Sequence, residues 1–243
     1  MCHPRIVFGR SFSAPSLQVA GVYSGARVHR PLRVGFALKR VAPRASLGAL
    51  IAAPEALDLL WPWFLLIGWE RVRIDPGNTA FTPLAFDSYP ISHSLVMAAV
   101  WGALFASLYI WMRGTRAAAV WIGFAVVSHW VLDWVTHRPD LPIAPWSDVK
   151  VGLGLWNSVP ATLVVESLMY AAGVWVYARV TRARDRMGSV NFWVYVLALA
   201  AIYVANIVGP PPPDPTSLAI FALALWLLPL WAAWIDRHRV ARG

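Results

Sequence analysis

The chain has 243 residues, of which 58% are hydrophobic and only 14% charged. A soluble domain carries about 25% charged residues, so this composition excludes an ordinary soluble enzyme. It points to a chain counted in membrane spans of about 20 apolar residues each. The net charge of +9 is not spread as on a nucleic-acid surface: Met1 to Pro54 contains no Asp or Glu and holds eight of the 21 Lys and Arg, and the rest is nearly neutral. Nucleic acid is therefore not expected as a partner.

Residues 1–32 form a basic, flexible N-terminal segment with Ser, Gly and Pro but no periodic apolar face. The segment lacks the compact apolar core of a secretory signal, and its acid-free, Ser-containing composition is that of an organellar transit peptide. A flexible tail, or a start upstream of the native one, reads equally well. Cys2 is the single cysteine, so neither an internal disulfide nor a cysteine metal site is available.

Residues 33–243 read as a transmembrane helical domain ending in a basic tail. Six apolar runs qualify as spans: Leu47 to Trp69, Ile91 to Met112, Ala117 to His137, Val159 to Val180, Val190 to Val208 and Ser217 to Ile235. A helix satisfies its own backbone hydrogen bonds in lipid, so the expected fold is all-α, a polytopic bundle of about six spans. Arg113 and Arg116, then Arg182, Arg184 and Arg186, then Arg237, Arg239 and Arg242, together with Lys39, Arg40 and Arg44, all fall on one side of such a bundle. The positive-inside rule makes that side cytoplasmic, with both termini inside. Trp61, Trp63, Trp69, Trp146 and Trp156 mark the opposite boundary, where aromatic belts form.

Ionisable groups inside spans are costly and mark function by default. In the third span, His129, Asp133 and His137 recur at i, i+4 and i+8. At about 100° per residue they drift by only about 80° around the helix, giving one polar stripe near its outer end. Two ligands at i and i+4 can chelate one ion from one helix face, as in the zinc motif His-Glu-x-x-His. His93, in Ile-Ser-His-Ser-Leu, opens the second span at the same depth. Asp58 lies in the first span and Glu166 in the fourth. Asn157 lies just before the fourth span, Glu55 is read as a structural group, and Gly152-Leu153-Gly154 is not a dinucleotide fingerprint, because no strand–turn–helix surrounds it.

The set Ile-Ser-His-Ser-Leu, then Ser-His-x-x-x-Asp-x-x-Thr, then a loop with Pro and Trp resembles the bacterial inner-membrane metal-dependent hydrolases typified by the LexA-regulated YdjM-like proteins. The likeness covers residues 54 to 147. It implies that His93, His129 and Asp133 are metal-site residues and that Asp58 stands for the family's acidic motif. That motif usually reads Pro-Asp-x-Asp, and only Asp58 is present here; Arg30 and Pro31 stand where the family has Gly-His.

The expected protein is an inner-membrane hydrolase of an ester or phosphoester, in a lipid or envelope-linked substrate. His93, His129, Asp133 and His137 are the expected metal residues. Asp58 and Glu166 are the candidates for general base. A divalent ion is the expected cofactor, zinc foremost, with manganese, iron or magnesium as alternatives. The competing reading is a transporter or channel that uses the His and Asp chain to relay protons or cations; no repeated halves support it.

Overall fold

A computed structural model describes residues 29–113 and 115–242. The basic segment 1–28 lies outside the described residues. The chain is almost wholly helical. Helix α1 spans His29–Leu38, α2 Leu47–Ala52, α3 Ala56–Leu66, α4 Pro90–His93, α5 Leu95–Arg113, α6 Arg116–Thr136, α7 Val159–Val180, α8 Arg186–Val208, α9 Pro215–Leu223 and α10 Leu227–Arg237. Three short antiparallel pairs join them: β1 (Arg71–Ile74) with β2 (Leu84–Ser88), β3 (Leu141–Pro142) with β4 (Lys150–Val151), and β5 (Thr181–Ala183) with β6 (Arg239–Ala241).

Five helices are long and apolar enough to cross a membrane: α5, α6, α7, α8 and the run through α9 and α10. Leu104, Phe124, Leu168, Trp175, Leu197 and Phe221 are exposed on them. Apolar side chains facing outward are costly in water and favourable against lipid tails. The protein is thus a multi-pass membrane bundle.

The first expected span is not one helix. The helix is interrupted at Ala53–Glu55, between α2 and α3. Pro54 lacks an N–H, and its ring crowds the carbonyl four residues back, which ends α2. The two pieces nevertheless run the length of one span, because α2 packs on α10 and α3 on α9. This broken pair completes a bundle of six.

Helices α5 and α6 make the most intimate helix pair. Gly102 faces Gly123, so closely that a Cβ at Gly102 would lie 2.8 Å from the Gly123 carbonyl oxygen. Small residues at a crossing let two backbones approach in lipid, and α6 carries His129 and Asp133. Helix α1 packs on α7, where Phe36 meets Tyr177, Phe192 and Tyr195 edge-on.

The two ends of the bundle differ. One carries β1–β2, β3–β4 and the polar stripe. The other carries the arginine-rich turns and β5–β6. There the basic tail is built into the fold: Arg239 donates to Thr181 Oγ1 and to the Gly188 carbonyl, and its guanidinium lies 4.6 Å from the Phe192 ring centre. A stacked, hydrogen-bonded guanidinium is held far more firmly than a solvated one.

Candidate metal centre

Three helices converge at the β1–β2 end. Asp58 comes from the first turn of α3, His93 from the last residue of α4, and His129 and Asp133 from successive turns of α6. One ligand atom each from Asp58, His93 and His129 lie within 4.8 Å of one another. His93 Nε2 stands 3.3 Å from Asp58 Oδ1 and 3.8 Å from Asp133 Oδ2. His129 Nε2 stands 3.2 Å from Asp133 Oδ2 and 3.9 Å from Asp58 Oδ1. Two imidazoles and two carboxylates therefore point inward at one place. His137 caps α6 one turn further on, its Nε2 4.0 Å from Asp133 Oδ1.

The opposite ring nitrogens are all engaged, and their partners decide the tautomers. His129 Nδ1 meets the Pro54 carbonyl at 2.6 Å. A carbonyl only accepts, so Nδ1 carries a proton and Nε2 is the ring nitrogen that faces the carboxylates. The helix break at Pro54 thereby has a chemical consequence, since it places this carbonyl against α6. His93 Nδ1 lies 2.6 Å from Ser92 Oγ, whose hydroxyl proton goes to Glu70 Oε2 at 2.6 Å. The serine oxygen must then accept from His93. His137 Nδ1 lies 3.0 Å from Asp140 Oδ1, which also accepts from the Tyr89 hydroxyl at 3.2 Å. Outward donation to a carbonyl or carboxylate is what orients histidines that ligate a metal.

Glu70 does more than hold Ser92. Its Oε1 accepts from the backbone N–H groups of Ile91 and Ser92, capping the first turn of α4 and fixing where His93 ends up. Burial pushes the Glu70 carboxyl above its usual range, against the opposing pull of His93 and of these hydrogen bonds. Burial and the charges of Asp140 and Asp133 push the Tyr89 phenol well above its ordinary value, so it remains a donor to Asp140. Neither Glu70, Asp140, Tyr89 nor the Pro54 carbonyl was singled out from sequence. Glu70 and Asp140 sit in loops and read there as solvated charges; only their burial, at 1% and 8% exposure, reveals another role.

A small cavity of about 30 Å³ lies against Asp58, His93, Asp133 and His137. A water needs roughly 10–15 Å³ of such space, so an ion and a water fit. Trp61, Phe86 and Trp156 wall it, with Phe86 on β2 and Trp156 in the segment after β4. The His137 ring packs 4.4 Å from the Trp156 ring. The hairpins thus cover the site with aromatic rings. Asp58 is the most open member, its side chain 22% exposed.

Glu166 is not among the residues brought together here. It lies buried on α7, 3.4 Å from Arg33 Nη2 of α1, and lines a separate cavity with Tyr170 and Tyr203. Because the acceptor on Ser92 supports a ring rather than the ion, Ser92→Ala is expected to weaken metal retention by about 10–100-fold and leave the fold intact. Metal titration of the detergent-purified variant measures this; an affinity equal to wild type would show that Ser92 does not orient His93.

A family model described as YdjM inner membrane protein matches residues 90–209. His93, His129, Asp133 and His137 fall inside the matched region, whereas Pro54, Asp58 and Glu70 reach the site from before it. No curated protein and no solved structure matches the chain.

Proposed function

We propose that this chain, which belongs to the YdjM inner membrane protein family, is a membrane-embedded metal-dependent hydrolase of ester or phosphoester bonds. The observation that carries the reading is the outward donation of three imidazoles. Each Nδ1–H has a fixed oxygen acceptor; the Nε2 atoms of His93 and His129 turn toward Asp58 and Asp133, and that of His137 toward Asp133. Asp58 and the buried Asp133 share the same two histidines at the expense of mutual repulsion, which a divalent cation relieves.

His93, His129, Asp58 and Asp133 would hold the ion. Mixed imidazole and carboxylate donors suit zinc, with manganese and iron as further fits. A divalent ion there supplies Lewis acidity, polarising a substrate oxygen and easing loss of a proton from water. The protein supplies the rest. His137 faces the cavity beside the cluster and is braced by Asp140, so it is placed to accept that proton, a carboxylate-oriented general base. Trp61, Phe86 and Trp156 limit bulk water around the reacting groups. The site lies at the end of the spans under two hairpins, a depth that suits a lipid or envelope-linked substrate. That end would face away from the cytoplasm, since the arginine-rich turns occupy the other.

The test is metal analysis and hydrolysis of chromogenic ester and phosphodiester substrates by wild type and His129→Ala. Wild type should carry about one equivalent of metal and show chelator-sensitive turnover, and His129→Ala should lose both. A wild type that retains no metal after growth and titration with zinc, manganese or iron would overturn the reading.

A further inference from the structure

At the end of the bundle opposite the His–Asp cluster, Arg44, Arg113 and Arg237 line a concavity of about 390 Å³ together with Ser46, Tyr109 and Asp236. The three arginines come from different parts of the chain: the turn before α2, the last residue of α5 and the last residue of α10. We propose that this concavity is a binding site for a phosphate group, carried by an anionic phospholipid. The proposal does not depend on the metal-site reading.

Charge carries the argument first. Asp236 is the single acid lining the concavity, and its two oxygens both accept from Lys39 Nζ at 2.9 Å. Lys39 is held there by a further bond to the Ala45 carbonyl at 2.8 Å, and Tyr177 also donates to Asp236 Oδ1. Asp236 is therefore neutralised by a lysine that lies buried behind it. The guanidinium groups of Arg44, Arg113 and Arg237 make no ion pair or hydrogen bond with the described residues. Three positive charges face one space and nothing in the described protein offsets them. Guanidinium forks match phosphate oxygens in pairs, and such bonds are stronger than neutral ones.

Position decides the source of the phosphate. On α5, Leu108, Trp111 and Met112 run up to Arg113 and are exposed, Trp111 by 82%. An exposed tryptophan at the end of an apolar span sits at headgroup level. The arginines therefore lie where lipid phosphates are. Basic pockets between span ends on the arginine-rich side of a membrane protein bind anionic headgroups. A soluble phosphate offers the same oxygens, so the experiment separates the two.

The protein in neutral detergent is titrated with fluorescent phosphatidylglycerol and with fluorescent phosphatidylcholine. Phosphatidylglycerol should bind the wild type, and Arg44→Gln, Arg113→Gln and Arg237→Gln should each weaken it about fivefold, equivalent to about 1 kcal/mol per basic residue. Combined, they should weaken it about a hundredfold. The pair Arg182→Gln and Arg184→Gln, at the same end but outside the concavity, should stay within about twofold of wild type. All these side chains are exposed, and circular dichroism checks that each variant is folded. Inorganic phosphate at millimolar concentration should compete poorly. If it displaces the lipid from wild type with the same arginine dependence, the phosphate pocket stands and the lipid source is overturned. Equal binding of the two lipids, an unaffected triple variant, or an equal loss in the control pair would overturn the site itself.

Discussion

On the proposed metal-site reading, Asp133→Asn should abolish metal binding. Asp133 is the hub of the cluster: its Oδ2 faces His129 Nε2 at 3.2 Å and His93 Nε2 at 3.8 Å, and its Oδ1 faces His137. Asparagine keeps the shape and removes the negative charge. A divalent ion between two imidazoles and two carboxylates is charge-neutral; with one carboxylate it is left with a positive charge in a buried site. Loss of a mere supporting partner weakens metal sites by about 10–100-fold, so loss of this anionic donor should exceed about 100-fold. A second measurement separates this from a structural role. Wild type with metal at about 100 times its Kd gains about 2.7 kcal/mol of stability by mass action. Thermal unfolding in detergent should therefore show a wide gap between wild type and Asp133→Asn with metal, and a narrow one with excess chelator. A gap that chelator leaves unchanged would mean that Asp133 serves packing and hydrogen bonding alone.

Gly152→Val should cost about 3–5 kcal/mol of stability while sparing metal binding. A Cβ at Gly152 would collide with the backbone carbonyls of His137 and Arg138. The segment it opens lies across the end of α6, where the Leu153 N–H donates to the Trp134 carbonyl at 2.8 Å and the Gly154 N–H to the His137 carbonyl at 2.7 Å. These bonds satisfy carbonyls that a helix end leaves without intrahelical partners. Forcing the strands apart adds an overpacking penalty of about 1–3 kcal/mol to two hydrogen bonds of about 1 kcal/mol each. Asp58, His93, His129 and Asp133 are held by α3, α4 and the body of α6, so metal content should persist. Hydrolysis should fall, because His137 moves with the displaced segment. Leu153→Ala, at an exposed side chain in the same segment, should change stability by no more than about 0.5 kcal/mol. Unfolding temperature, metal analysis and turnover on the three proteins check this. Metal lost in proportion to stability would show that the loop supports the whole cluster.

Much of the architecture was legible in the linear chain, for a physical reason. Lipid leaves a backbone few solutions, so apolar run length translates directly into helices. The His129, Asp133 and His137 stripe was legible as well, because helical periodicity aligns i, i+4 and i+8 without any tertiary contact. The placement of His93 at the same end followed from counting spans. The resemblance to the YdjM-like proteins, carried by the Ser-His-Ser and Ser-His-x-x-x-Asp-x-x-Thr stretches, agrees with the family match over residues 90–209.

The distinctions among polar residues were settled only in three dimensions. Asp58 and Glu166 looked alike as lone acids within apolar runs. Packing of α3 brings Asp58 to the histidines, and packing of α1 on α7 gives Glu166 to Arg33. Pro54 lay unremarked inside the first expected span, yet its carbonyl accepts the Nδ1 proton of His129. Glu70 and Asp140, in the segments between spans, brace His93 through Ser92 and His137 directly. Gly152 and Gly154 read as a meaningless glycine pair and proved to close the end of α6. Hydropathy is a sum over local residues, so a single chain reports it faithfully. Which carboxylate meets which imidazole depends on contacts between residues far apart in sequence, and only the folded bundle contains them.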